Sequence, residues 1–198
     1  MSQSKSQADC QSQSETGSKR KAGSKNKGRG KKDPAPRSAA RLGAVQALYQ
    51  MDMAGTDLDE VVLEFSEHRL GVELEGDHYK EADTEFFEDI IRGVVKHQRE
   101  IDPLLDERLA VGWRLTRIDS ILRAIMRSAA FELQERHDVP ARVVLNEYID
   151  IARAFFEQDE PKVVNGVLDS LARHLRSKEL NSAKKASEAK KQTDDPGT

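Results

Sequence analysis

The residues best suited to chemistry lie near the carboxyl end, in the stretch EPKVVNGVLDSLARHL that covers residues 160–175. Asp159 is suited to cap a helix there, and Pro161 fits the first turn, where a missing N–H is harmless. The free backbone N–H groups of such a helix start, with Lys162 beside them, would attract an anion such as a phosphate. Asn165 can donate to and accept from the edge of a nucleobase or a peptide.

The glycine after Asn165 is an unfavourable residue for a helix interior. It costs about 1 kcal/mol relative to alanine. Gly166 therefore indicates a position where another helix or a ligand approaches the backbone closely. Periodicity alone does not separate these two explanations.

A second cationic site is predicted at the start of the first helix. Arg37 and Arg41 are four residues apart and therefore share a helix face. Two cations near a helix N-terminus oppose the macrodipole, which favours negative charge there. The pair suits phosphate binding. The alternative is that both arginines pair with acidic residues such as Asp33 or extend into solvent.

No catalytic motif accompanies these residues, so no enzyme activity, cofactor or metal site is predicted. The chain shows no glycine-rich phosphate loop, no nucleophile elbow and no metal-ligand spacing around its histidines. The lone cysteine, Cys10, indicates a reducing compartment, and we expect a cytoplasmic location. The polar N-terminus predicts no secretory signal, and no apolar stretch approaches the ~20 residues that a membrane span needs.

The net charge of −3 conceals a strong asymmetry along the chain. Residues 1–33 carry a net charge of +6, residues 177–198 carry +1, and the body between them carries −10. Both terminal segments contain few apolar residues and are predicted to be disordered, which leaves 34–176 as the folded domain. A basic arm on an acidic body indicates a polyanionic partner, and the acidic body suits a second, basic partner.

Between the terminal segments, apolar residues recur with the helical period of 3.6 almost everywhere. The pattern predicts about seven short helices and no sheet, which is an all-α fold. A polar, acidic loop is expected at about 71–82. The residues predicted to start or cap the helices are Pro36, Thr56 (in a capping box with Asp59), Asp83, Asp102 (before Pro103), Thr116, Pro140 and Asp159.

Five segments within 37–175 carry a family resemblance through their order and spacing. They are RLGAVQALYQMDMAG (41–55), DTEFFEDIIRGVV (83–95), ILRAIMRSAAFEL (121–133), VPARVVLNEYIDIAR (139–153) and PKVVNGVLDSLAR (161–173). Together they resemble the successive signatures of the NusB family of transcription antitermination factors. The resemblance implies a compact all-α fold built as a pair of helical bundles.

The resemblance also implies a function without catalysis. Members of the family bind the boxA RNA element together with NusE, a small-subunit ribosomal protein. They nucleate a complex in which RNA polymerase and other Nus factors read through terminators, notably in ribosomal RNA operons. We therefore expect an RNA-binding adaptor whose partners are single-stranded boxA-type RNA, NusE and the transcription elongation complex.

Carried over position by position, the resemblance implies two RNA-binding regions and a protein contact. The RNA-binding positions are Arg37, Arg41 and Gln46 in the first helix, and Phe155, Asp159, Lys162, Val163 and Asn165 near the last. The partner-binding positions are Tyr49 and, again, Asp159.

The chain departs from the family pattern at two places. Val163 stands where the family usually has phenylalanine, so base stacking worth about 1–3 kcal/mol is lost unless the position serves packing. The first helix also has fewer arginines than the arginine-rich form of the motif. The basic segment 1–33 is expected to compensate through phosphate contacts, which add affinity without reading sequence.

Two other functions remain open from the sequence. The same helical domain resembles the N-terminal part of some ribosomal RNA cytosine methyltransferases, although their catalytic Rossmann-like domain with its cysteines is absent here. The other is a self-associating helical bundle. Some relatives form homodimers, and a homodimer would mask the RNA-binding face.

Overall fold

The computed structural model describes residues 36–70 and 82–182, and these residues form helices and connecting turns without a strand. The helices are α1 (Pro36–Ala54), α2 (Leu58–His68), α3 (Thr84–Asp106), α4 (Ser120–Glu135), α5 (Ala141–Phe155) and α6 (Glu160–Leu175), with a short 3-10 helix at Leu115–Arg117. The predicted all-α fold is confirmed. Within the described ranges, no helix is long and apolar enough to cross a bilayer.

Helix α4 lies at the centre and packs against α1, α3, α5 and α6. It is buried on almost every side, from Leu122 to Leu133, as expected of a helix with neighbours all round. Its carboxyl half contacts the start of α1 through Glu132 and Arg41, and its first turn contacts the end of α1 through Arg123 and Asp52. Helices α1 and α4 are therefore antiparallel.

Helix α5 is antiparallel to α4 and runs in the same direction as α1. Arg41 reaches Glu147 in the first half of α5, and the last residue of α5, Phe155, shares a groove with Tyr49 near the end of α1. The bundle therefore has two ends. We call the end where α1 and α5 start the Arg37 end. The end where they finish and where α4 and α6 start is the Lys162 end.

Three predicted helix starts are wrong, and at the first of them, Asp102, a tertiary contact overrides the local signal. Asp102 begins no new helix, because α3 continues through Pro103 to Asp106 with Ile101 and Leu105 buried on either side of the proline. The Asp102 carboxylate instead accepts two hydrogen bonds of 2.8 Å from Arg127 in α4.

Thr116 does not cap α4 either, because it lies within the 3-10 helix. Asp119 caps α4 instead, and its carboxylate accepts from the Ile121 and Leu122 N–H groups. At α2 the cap is Asp57 in place of Thr56. The predicted cap at Asp83 is confirmed, since its carboxylate accepts from the Phe86 N–H at 3.0 Å.

Helical structure continues past residue 176, where the sequence predicts the end of the folded domain. Residues 177–182 are helical, Leu180 packs against the core, and the Glu179 carboxylate accepts from the Ala141 N–H at 2.8 Å. The other segments predicted to be irregular or disordered, namely 1–33, 71–81 and 183–198, lie outside the described residues.

Gly93, and not Gly166, marks the close approach of two helices. A Cβ built on Gly93 in α3 would overlap the ring of Phe131 in α4. At Gly166 a Cβ would meet nothing within 4 Å, and the residue is exposed. The helix-crossing explanation of Gly166 is therefore wrong, and close approach of a ligand remains the hypothesis for it.

Alanine at these two glycines should change stability in opposite directions. Gly93→Ala should lower the free energy of unfolding by about 1–3 kcal/mol, because the Phe131 ring must move out of a packed core. Gly166→Ala should raise it by up to about 1 kcal/mol through helix propensity. Urea unfolding followed by far-UV circular dichroism measures both. Equal effects of the two substitutions would contradict this assignment.

Candidate nucleic-acid interface

Arg41 is not a surface residue, contrary to the prediction for α1. It is 2% exposed, and its guanidinium donates two hydrogen bonds of 2.8 Å to the two carboxylate oxygens of Glu132 in α4. The Tyr148 hydroxyl in α5 donates to the same carboxylate at 2.7 Å. The Arg41 guanidinium is thus occupied inside the protein, and no phosphate can reach it in this conformation.

The electrostatics of this buried network keep Arg41 charged and Tyr148 protonated. Burial alone would lower the pKa of Arg41, but the hydrogen bonds and the charge of Glu132 outweigh it and leave that pKa raised. Burial, together with Glu132, raises the pKa of Tyr148 well above its ordinary value, so its hydroxyl stays protonated and donating. Arg41, Glu132 and Tyr148 therefore join α1, α4 and α5.

Arg37 stays accessible but is not free. Its side chain is 47% exposed and lies within 3.4 Å of Asp83 and 3.5 Å of Asp138, so it pairs with acidic residues other than the Asp33 considered from the sequence. Its guanidinium also lies 4.9 Å from the centre of the Phe86 ring. The pKa of Asp138 is held at about 2, mainly by hydrogen bonds from Arg136 and to a smaller extent by the Arg37 charge. Exposed pairs of this kind exchange readily for a phosphate.

At the Lys162 end, Asp159 pairs with Lys162 and does not cap α6 through its side chain. The residue stands at the cap position with helical backbone angles, and its carboxylate accepts from Lys162 Nζ at 2.7 Å. The hydrogen bond and charge of each partner lower the pKa of Asp159 and raise that of Lys162. Both side chains are 81% exposed.

The anion site expected from free N–H groups at the start of α6 is largely closed. The N–H groups of Lys162 and Val163 both donate to the Asp159 carbonyl oxygen, at 2.9 and 3.1 Å. The exposed ammonium of Lys162 remains as the group that can bind a phosphate, beside exposed Asn165. Val163 is half-buried and packs against the core, which fits a packing role for this position.

An apolar groove lies at the same end, between α1, α4 and α5. The exposed side chains of Gln46, Tyr49 and Phe155 line it, with Tyr49 37% and Phe155 38% exposed. Met53, 62% exposed, extends the apolar surface. The structure thus brings Phe155 beside Gln46 and Tyr49, which lie more than 100 residues earlier in the chain, and the resemblance assigned all three to RNA or partner contacts.

Sequence reasoning missed one residue that connects these features. Phe156 follows Phe155, is half-buried, and lines a second cleft together with Arg153, Pro161, Lys162 and Asn165. The adjacent aromatic pair at the end of α5 was the available signal. Phe155 faces the apolar groove, and Phe156 faces the cleft that contains Lys162.

Only part of the first predicted RNA-binding region lies beside the second: Gln46 shares the groove with Phe155, whereas Arg37 is distant. Arg37 lies at the start of α1 beside Asp138, whereas Tyr49 lies twelve residues later, about 18 Å along the helix at 1.5 Å per residue. Lys162 lies at the end of the bundle to which Tyr49 belongs. An RNA that contacts both Arg37 and Lys162 must therefore run along the length of the domain.

Removing Arg41 should destabilise the fold rather than weaken one phosphate contact. Arg41→Ala leaves Glu132 buried without its partner, so the free energy of unfolding should fall by about 3–5 kcal/mol. Arg37→Ala is the matched control. The ion pairs of Arg37 are exposed, so Arg37→Ala should lower the free energy of unfolding by no more than about 1 kcal/mol. Urea unfolding of both variants provides the comparison, and losses of similar size would refute a special role for the buried pair.

Comparison with known proteins identifies the family. A sequence profile of the NusB family matches residues 38–173. A protein of Rhodopseudomonas palustris (strain BisB18) named transcription antitermination protein NusB is 54% identical over 153 residues, which cover 77% of this chain and 90% of that protein. A protein of the same name from Bartonella tribocorum is 56% identical over 140 residues, covering 71% and 90%. The methyltransferase alternative is not favoured by these relatives.

Solved structures show the same architecture. A structure described as T. maritima NusB has a TM-score of 0.63 and 28% identity, and the match covers 74% of this chain and 98% of that one. A structure of antitermination factors NusB and NusE in complex with double-stranded RNA has a TM-score of 0.58 at 24% identity, covering 70% and 97%, and likewise shares the fold. With its helices in the family order and its sequence matched over 38–173, this chain belongs to the NusB family.

Proposed function

We propose that this chain is a cytoplasmic, non-catalytic transcription antitermination factor that binds boxA-type single-stranded RNA jointly with NusE. The complex would promote read-through by the transcription elongation complex. The names of the relatives that are more than 50% identical support the biological role. The observation that carries the proposal is the Lys162 end, where a cation, an amide and aromatic rings are exposed side by side on helix ends.

The two parts of the Lys162 end suit different partners. Lys162 and Asn165 can hold a phosphate and a base edge, and Gly166 leaves the α6 backbone open to close approach of a ligand. The groove of Gln46, Tyr49 and Phe155 is mainly apolar and suits a protein surface, in this proposal that of NusE. The adjacent residues Phe155 and Phe156 connect the two parts, since Phe155 lines the groove and Phe156 lines the cleft of Lys162. Joint binding then strengthens each contact.

Arg37 and the N-terminal segment supply contacts of a less specific kind in this proposal. Arg37 can exchange its exposed acidic partners for a phosphate. Residues 1–33, with their net charge of +6, add phosphate contacts that raise affinity without reading sequence. Arg41 contributes indirectly, since it holds α1 against α4 and α5 and so positions Gln46 and Tyr49.

Joint recognition is tested by fluorescence anisotropy of a labelled boxA-type RNA, with a scrambled RNA of equal length as control. The full-length protein should prefer the boxA-type RNA, and addition of NusE should increase this preference, because the groove and the cleft of Lys162 adjoin at the Phe155–Phe156 pair. Equal, salt-sensitive binding to both RNAs, with or without NusE, would leave only phosphate attraction and overturn the proposal.

The Asp159–Lys162 pair provides a second test, because substitutions of its two members should change RNA affinity in opposite directions. Lys162→Ala should weaken RNA binding and reduce the slope of log K against log salt by about 0.7, the loss of one phosphate contact to a single strand. Asp159→Asn should strengthen binding, because it frees Lys162 and removes a charge that repels phosphates. Arg173→Ala is the control and should change neither the RNA affinity nor the salt slope. Arg173 lies in the last turn of α6 and forms an exposed pair with Asp169. An unchanged salt slope for Lys162→Ala would exclude the phosphate contact.

A further inference from the structure

The turn between α3 and the 3-10 helix exposes two large apolar side chains that nothing in the fold requires at the surface. Val111 is fully exposed, and Trp113 is 50% exposed. A half-exposed tryptophan beside an exposed valine leaves apolar surface in water, which is typical of a binding site. The region belongs to the Lys162 end, because the 3-10 helix leads directly into the start of α4.

The backbone that carries Trp113 is held firmly on the domain. Gly112 turns the chain with a φ of +89°, and the Trp113 N–H donates to the Ala110 carbonyl oxygen at 2.9 Å. Two residues later, Leu115 is buried, and its N–H donates to the Asp106 carboxylate at 2.7 Å. The indole is therefore presented on a fixed turn, so little conformational entropy is lost when a ligand stacks on it.

Two arginines line the same cleft as the indole. Arg114 and Arg117 are both exposed, and within the described part of the chain neither forms an ion pair, although many other arginines of this acidic domain do. The acidic residues of the same cleft are Asp119 and Glu160. Asp119 caps α4, and Glu160 lies in the first turn of α6, so both sit where helix N-termini favour negative charge. The cations are left to bind an external anion.

The cleft of Trp113 adjoins the cleft of Lys162 at Phe156. Trp113, Arg114 and Arg117 line it on one side and Phe156 on the other. Phe156 also lines the cleft that contains Lys162 and Asn165. A chain bound at Lys162 can therefore pass Phe156 and reach the indole without leaving the surface.

We propose that Trp113, Arg114 and Arg117 form an additional subsite for single-stranded RNA, in which a base stacks on the indole and the flanking phosphates bind the two arginines. An RNA strand, with flat bases along a regular negative backbone, matches a cleft that holds an exposed indole and two exposed guanidinium groups. The subsite rests on the proposed function and extends it. It lengthens the bound RNA beyond the Lys162 site, and it supplies the aromatic stacking that Val163 cannot.

The chain contains its own probe for this subsite, because Trp113 is its only tryptophan. Full-length protein is titrated with unlabelled boxA-type RNA extended by several nucleotides at either end, and indole emission is recorded. Stacking should quench the emission at the RNA concentrations at which anisotropy of the labelled RNA reports binding.

Two substitutions at the same position separate stacking from simple apolar packing. Trp113→Leu keeps apolar bulk but removes the ring, and it should weaken binding of the extended RNA about five-fold or more. Trp113→Phe keeps a ring and should retain most of the affinity. Arg114→Ala should reduce the salt slope by about 0.7. Thermal unfolding by circular dichroism checks that each variant folds.

The outcomes distinguish this subsite from the proposed function. If boxA-type RNA binds but neither quenches Trp113 nor is weakened by Trp113→Leu, the subsite is wrong and the proposed function stands. If NusE changes the emission and RNA does not, the turn docks protein, which also overturns the subsite. If no condition yields preference for boxA-type RNA, the proposed function fails and the subsite with it.

Discussion

The buried ion pair between Arg41 and Glu132 is the constraint on which the arrangement of the domain depends. Glu132 is fully buried, and an isolated carboxylate at that depth would cost several kcal/mol. Arg41 from α1 and the hydroxyl of Tyr148 from α5 satisfy it. These partners can reach one carboxylate only if α1 and α5 lie side by side on α4. The groove at the Lys162 end is therefore a consequence of a contact made in the interior, several turns away.

A second buried arginine, Arg176, contacts the carboxyl end of the same helix. Arg176 is buried and donates to four backbone carbonyl oxygens, those of Glu132, Leu133, Arg136 and Val139. It satisfies the carbonyl oxygen of Leu133 in the last turn of α4 and two carbonyl oxygens in the turn that follows α4, and it anchors the chain after α6. With the carboxyl end of α6 anchored in this way, Lys162 and Asn165 are displayed on a rigid element, which suits recognition of a ligand by a few side chains.

The functional surface combines an acidic body with a small number of exposed cations. Most arginines of the described domain pair with carboxylates, so they add stability and solubility but little attraction for RNA. The Lys162 ammonium lies 2.7 Å from the Asp159 carboxylate, and this pairing weakens the attraction of Lys162 for phosphates. RNA affinity in such a domain depends on local groups more than on overall charge. Recognition that is shared with a protein partner suits a site of this moderate strength.

The sequence by itself determined the helical class, most helix boundaries, the exposure of Lys162 and Asn165, and the family, because these follow from periodicity, capping residues and local motifs. Only the tertiary structure decided that Arg41 is buried while Arg37 is exposed, although both occupy one face of α1. Glu132, which makes the difference, lies 91 residues away in sequence. The same reason applies to Gly93, whose neighbour Phe131 belongs to another helix, and to Trp113, which only the folded chain places beside Phe156. Helical periodicity indicates which side chains share a face, but what packs against that face is decided by distant segments.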